Sequence, residues 1–127
     1  MATSQGVELI SGIAGSAVTI YRLVTLASDG QYDHTGATGR PDGVCAESVS
    51  TVGATFPLAV PNGAIVKVTA SAAIAVGDRL STAAAGKVVT AANPGVGSYW
   101  VGVARSAADA DGDIIEMQFI IDQDQVA

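Results

Sequence analysis

Gly102-Val103-Ala104-Arg105, read against Gly43-Val44-Cys45-Ala46, decides the fold: the same Gly-Val-small stretch occurs twice, 59 residues apart. The register holds further out, pairing Gly53 with Gly112 and setting Phe56, Leu58 and Val60 opposite Ile115, Met117 and Phe119. Upstream, Arg22-Leu23 matches Arg79-Leu80 at a shift of 57, and Gly30 matches Gly86 at 56. Small drifts of this kind are what changes in loop length produce. One unit is used twice, with copies spanning about residues 17–62 and 72–121, and neither copy carries a catalytic residue.

The unit is built of strands. Phe56, Leu58 and Val60 fall on one face at the two-residue strand period, and Ile115, Met117, Phe119 and Ile121 alternate with Ile114, Glu116, Gln118 and Ile120. Short β-branched runs at 17–21, 23–26, 31–33, 43–48, 54–60, 65–69, 79–82, 87–90, 99–104 and 114–121 read as strands. In the run 65–69, Val66 and Val68 point inward and Lys67 outward. Ser28-Asp29-Gly30, Arg40-Pro41-Asp42-Gly43 and Pro61-Asn62-Gly63 are turns in which Gly and Asn accept positive φ and Pro presets its own. Ala-rich 71–76 has the composition of one helical turn, weakened by β-branched Ile74 and Val76. No segment sustains a 3.6-residue apolar period over three turns. The expected fold is all-β: a small barrel or sandwich of two degenerate repeats in one domain, 17–127, preceded by an extended N-terminal arm, 1–16, with a frayed polar tail at 122–127.

Composition narrows the function. Of the 127 residues 49% are apolar but only 5% aromatic, so the core is Val, Ile, Leu and Ala. Small side chains stabilise less per residue, which favours help from an oligomer. The net charge is −6, and the six basic residues (Arg22, Arg40, Lys67, Arg79, Lys87, Arg105) are scattered. Nucleic-acid affinity comes largely from clustered Lys and Arg displacing counterions, so this class is excluded. The apolar stretch from Val7 to Tyr21 is interrupted by Gly12 and Gly15 and lacks a basic leader, so it reads as neither signal peptide nor membrane span. Synthesis as a soluble cytoplasmic chain is expected.

Candidate chemistry fails on spacing. The single Cys45 has no disulfide partner in the chain and reads as a small buried strand residue; as a nucleophile it would need a base, and the one histidine, His34, sits in a polar segment beside Asp33 and reads as exposed. Asp109-Ala110-Asp111-Gly112-Asp113 resembles the start of a calcium loop, but Gly112 is fourth rather than sixth and the twelfth position is Ile120. A solvated turn fits better. Ala85-Gly86-Lys87 lacks the distal Gly and the following Ser or Thr of a phosphate loop, and Gly95-Val96-Gly97 lacks its third Gly. No metal or cofactor is expected. Tyr99-Trp100 is the bulky aromatic pair; adjacent strand residues face opposite sides, leaving one for the core and one for an interface or ligand.

The succession Val66-Lys-Val-Thr-Ala-Ser71, Ala75-Val-Gly-Asp-Arg-Leu-Ser81, Gly86-Lys-Val-Val-Thr90, Val101-Gly-Val-Ala104 and Gly112-Asp-Ile-Ile115 resembles the capsid decoration, or capsid cement, proteins of tailed phages. The resemblance covers roughly residues 17 to 121. It implies a small β-rich virion protein, made in the host cytoplasm, that joins the outside of an assembled head and binds the major capsid protein. It further implies trimers over threefold or quasi-threefold points, bracing the shell against packaged DNA, with no nucleic-acid or membrane partner and no catalytic site. The N-terminal arm would reach a neighbouring subunit or the capsid floor. That assigns Val7, Leu9, Ile10 and Ile13 to a capsid or subunit interface, and Tyr99 and Trp100 join them as interface aromatics. Two alternatives stand beside this reading. A head-fibre or glycan-binding module would stack a sugar on the Tyr99-Trp100 pair, and a lipoyl- or biotinyl-type carrier would modify Lys87, which lacks the usual flanking residues.

Overall fold

Ten short strands follow one another along the chain in the computed structural model, which describes residues 7–37, 39–91 and 99–120. They are β1 (Leu9–Ile13), β2 (Leu23–Leu26), β3 (Tyr32–His34), β4 (Gly43–Cys45), β5 (Thr55–Ala59), β6 (Ile65–Thr69), β7 (Arg79–Thr82), β8 (Val88–Thr90), β9 (Trp100–Ala104) and β10 (Ile114–Phe119). A 3-10 turn, Ala84–Gly86, joins β7 to β8. The strands form two five-stranded antiparallel sheets, ordered β1-β5-β4-β2-β3 and β6-β10-β9-β7-β8. Neither closes into a barrel, so the fold is the all-β arrangement expected, and two open sheets are compatible with its sandwich form.

Adding five to each strand number of the first order gives the second, so the duplication is complete in topology. The register agrees residue by residue. Val24 pairs with Gly43 and His34, as Leu80 pairs with Gly102 and Thr90. Isolated bridges repeat as well: Ala14–Tyr32 and Val18–Val49 in the first unit, Ala70–Val88 and Ile74–Ala108 in the second. The shift is 56 through the third strand of each unit and 59 from the fourth, the connection between those strands carrying the extra residues.

This corrects three expectations. The stretch 1–16, read as an arm, contains the regular edge strand β1, paired from Leu9↔Ala59 to Ile13↔Thr55. Gly12 does not interrupt this strand but is required in it, because a Cβ would meet the Tyr32 ring at 2.7 Å. Second, the units begin one strand earlier than 17–62 and 72–121 suggested. β6 opens the second unit as β1 opens the first, and the counterpart of Leu80 is Val24, not Leu23. Third, 17–21 is no strand: it makes only the Val18 bridge and ends at Tyr21 with φ 67°. The Ala-rich 71–76 likewise forms a bridge at Ile74 rather than a helical turn. The tail expected to fray and Ile121 lie outside the described residues.

Each unit has its own interior. Ala14, Val18, Val24, Tyr32, Cys45, Phe56 and Leu58 are buried together in the first. Their counterparts Ala70, Ile74, Leu80, Val88, Ala104, Ile115 and Met117 are buried in the second. Leu23, Val44 and Ala59, on the opposite face of the first sheet, belong to the second cluster and join the units. Burying side chains of this size contributes roughly 1.5–3 kcal/mol for each Leu or Val. Hydrogen bonds fix the join: the Tyr21 carbonyl accepts from the Thr69 N–H (2.8 Å) and Oγ1 (3.0 Å), and the Thr35 carbonyl from the Gly86 N–H (2.8 Å).

Candidate functional site

β1 is an edge strand whose apolar side chains are largely uncovered. Val7, Leu9, Ile10 and Ile13 are 43–53% exposed, whereas Gly12 is buried against Tyr32 and Leu58. In the ladder with β5, the Val60 N–H donates to the Glu8 carbonyl and the Ala14 N–H to the Ala54 carbonyl. Antiparallel alternation then turns the N–H and C=O groups of Leu9 and Ser11 and the N–H of Ile13 away from β5. An open edge carrying exposed Leu and Ile is an adhesive surface unless something covers it. Val7 also lines a groove of about 260 Å³ at the join of the units, with Ile20, Tyr21, Val44, Ala59 and Ile65.

Tyr99 and Trp100 stand on the second sheet, at the start of β9, and both are half-buried. The Arg79 guanidinium lies 4.2 Å from the Trp100 ring centroid, a cation–π stack that occupies one ring face. Together with Gly102, Val103 and Ile120 they line a hollow of about 300 Å³. The six expected interface residues therefore lie on two surfaces, one on each unit. Sequence reading missed Arg79, Val103, Ile120 and the exposed Val76; the strand alternation carried a signal for Val103, which shares a face with Arg79 through their cross-strand pairing.

The groups weighed for chemistry have structural partners. Cys45 is buried, its thiol donates to the Glu47 carbonyl at 3.1 Å, and burial pushes its pKa up, which disfavours the thiolate. His34 is not the exposed loop residue expected. It ends β3 half-buried, its Nε2 accepts the Thr19 N–H at 2.9 Å, and desolvation, reinforced by Arg22 and opposed by Asp33, lowers its pKa. In the acidic run, Asp113 Oδ2 accepts the N–H groups of Asp109 and Ala110, closing a turn on itself. Lys87 Nζ pairs with Asp111 at 2.8 Å. Among the described residues no cluster of three His, Cys, Asp or Glu side chains is placed to hold a metal, and no helix is long and apolar enough to cross a membrane.

Among the described residues, an apolar strand edge on the first unit and an Arg–Trp hollow on the second are both exposed. The chain matches the model of the family described as phage cement protein over residues 4–119. Among solved structures, the N base of the head fiber gp8.5 of bacteriophage phi29 superposes with a TM-score of 0.70 at 24% identity, covering 96% of this chain and 99% of that one. That likeness shows the fold. None of the curated proteins matches the chain.

Proposed function

The chain belongs to the phage cement protein family, and we propose that it is a structural virion protein that binds the outer surface of an assembled phage capsid as a trimer and stabilises it against internal DNA pressure. The family match carries the reading, because it runs through both units and the β1 edge rather than through one motif. The surfaces suit the task. Cementing needs no chemistry, only contacts that form on the mature lattice and not on its loosened state; such binding stabilises the mature state by mass action. Linking three weak contacts in one trimer raises avidity by roughly 100- to 10,000-fold when the geometry fits. The partner is the major capsid protein. A net charge of −6 keeps the protein from competing for DNA.

The test is cosedimentation of the purified protein with mature heads that lack it. Saturation at a multiple of three per threefold region supports the trimeric cement; no binding by the folded protein overturns it. Heads that lose DNA equally fast on heating, with and without the protein, would remove the stabilising role. The head-fibre alternative also attaches to a capsid and is separated by copy number, few rather than near-lattice. Its sugar-stacking form is disfavoured by Arg79, which already covers one face of Trp100.

A further inference from the structure

We propose that the two exposed surfaces are halves of one head-to-tail contact: the open edge of β1 in one chain docks on the Arg79–Trp100–Val103 face of the next. The contact repeats between chains the join between units within a chain. It rests on the trimeric reading above and specifies how the trimer is held.

The join within the chain supplies the template. There the outer face of the first unit (Leu23, Val44, Ala59) is fully buried against the second, and the Tyr21 carbonyl caps the open edge of β6 by accepting from Thr69. Ile20 and Ile65 both line the groove alongside. The 56- and 59-residue shifts then locate the matching surfaces. On the second unit, Arg79, Val103 and Gln118 stand where Leu23, Val44 and Ala59 stand on the first. Val76 stands for Ile20 and Gly77 for Tyr21. Among the described residues this face stands exposed: Val76 is 65% exposed and Ile120 52%, and the hollow beside Trp100 lies open.

The other half is β1. Leu9, Ile10 and Ile13 occupy the places of Ile65, Val66 and Thr69, and the difference in cover is plain, since Val66 is 7% exposed and Ile10 44%. Ile13 turns its N–H outward as Thr69 does, so the Gly77 carbonyl of a neighbouring chain is its acceptor. Each chain thus has one uncovered edge and one uncovered face of the kinds already seen together. An Arg–Trp stack beside apolar side chains is also the composition found at the centre of protein interfaces. Because the two patches differ, the contact is heterologous and propagates in one direction until it closes. In a trimer it sets six units in a ring.

Sedimentation velocity of the full-length chain and of two variants tests this. Leu9→Glu disables the edge and Val76→Glu the face, both at exposed positions. The wild type is expected to associate, and each variant to stay monomeric to roughly 30-fold higher concentration, the effect of losing a central interface contact. Mixing the two variants is the decisive arm. One intact contact remains between unlike chains, so a one-to-one complex that cannot close is expected. A wild type that remains monomeric, variants that associate as the wild type does, or a mixture that forms no complex would each overturn the contact. Ile13→Glu with Val103→Glu repeats the experiment, and urea midpoints check that each variant is folded. Head cosedimentation separates the two readings: monomeric chains that still saturate heads remove only this contact, and trimers that ignore heads remove only the capsid.

Discussion

In the first unit Tyr32 stands edge-on to Phe56, ring centroids 5.8 Å apart, over Gly12. The second unit has Val88, Ile115 and Val68 at the same three places, all buried. A large ring over a missing side chain and two medium side chains face to face fill similar space beneath one backbone. Close packing constrains the sum of facing volumes more tightly than any single residue. The pairings are therefore conserved between the units while the side chains are exchanged, and substitutions that move residues between equivalent positions probe what each unit tolerates.

The largest effect is expected where the units agree. Gly43 and Gly102 both lie on the central strand beside β5 and β10. A Cβ at Gly102 would come within 2.0 Å of the Gln118 carbonyl oxygen, and one at Gly43 within 2.4 Å of Leu58 Cδ1 and 2.6 Å of the Ala59 carbonyl oxygen. The first clash is with backbone and can be relieved only by moving β10; the second is shared with a side-chain end that can rotate. Gly102→Ala should destabilise by about 3 kcal/mol or more and Gly43→Ala by about 2 kcal/mol, read from urea midpoints. The reverse order would show that the two central strands are not equally braced.

Exchanging the packing solution comes next. Gly12→Val gives the first unit the residue of the second and drives a side chain into the Tyr32 ring; Tyr32→Val alone leaves a void. Each should cost about 2–3 kcal/mol. Together they rebuild the arrangement of Val68 and Val88, so the pair should recover at least about 1.5 kcal/mol relative to the sum. Strict additivity would mean that the two volumes are not exchanged against each other.

A smaller effect concerns one backbone position. Gly77 has φ 90°, and its counterpart Tyr21 adopts φ 67°, a region that costs a non-glycine residue roughly 1–2 kcal/mol. The strain persists at Tyr21 because its carbonyl holds Thr69 across the join. Gly77→Ala should destabilise by about 1 kcal/mol. Tyr21→Gly should change stability by less than about 0.5 kcal/mol, since relief of strain is offset by the greater unfolded-state freedom of glycine. A large loss in Tyr21→Gly would assign the residue's importance to its ring, which Lys67 approaches at 6.0 Å.

The same substitutions explain what the sequence disclosed. The doubling was legible because its turn glycines recur, Gly53 with Gly112 and Gly30 with Gly86, all four at positive φ. So were the inward Val66 and Val68, and the alternation of Ile115, Met117 and Phe119 in β10. β1 was not. Leu9-Ile-Ser-Gly-Ile13 shares no identical position with Ile65-Val-Lys-Val-Thr69, and apolar residues on both of its faces conceal the two-residue period. Tyr21 in place of glycine hid the turn that would have aligned the first halves correctly. At the candidate site, Leu9, Ile10 and Ile13 could be found as an apolar cluster. Alternation along β9 pointed to Val103, but nothing local shows that Val76 and Arg79 are left exposed where Ile20 and Leu23 are covered. Only the strand order shows which copy of that face the chain itself covers.

The smallest effect is a difference in pH response. His34 and Thr90 hold equivalent positions, paired to Val24 and Leu80. Thr90 donates its hydroxyl to Asp78 Oδ2 at 3.0 Å, whereas His34 accepts the Thr19 N–H through Nε2, which requires a neutral ring. Burial first, and then Arg22, hold its pKa below the ordinary 6.5, with Asp33 pulling the other way. The unfolded chain then binds this proton more readily than the folded one. The stabilising contribution is complete above about pH 6.5 and is lost as the pH falls from there toward the lowered folded value. His34→Thr installs the second unit's residue and removes the titration along with the acceptor. Urea midpoints at pH 7.5 and 5.5 should fall more between the two pH values in the wild type than in the variant, although the variant starts lower. Equal falls would place the acid sensitivity in groups common to both units and leave His34 a packing residue like its counterpart.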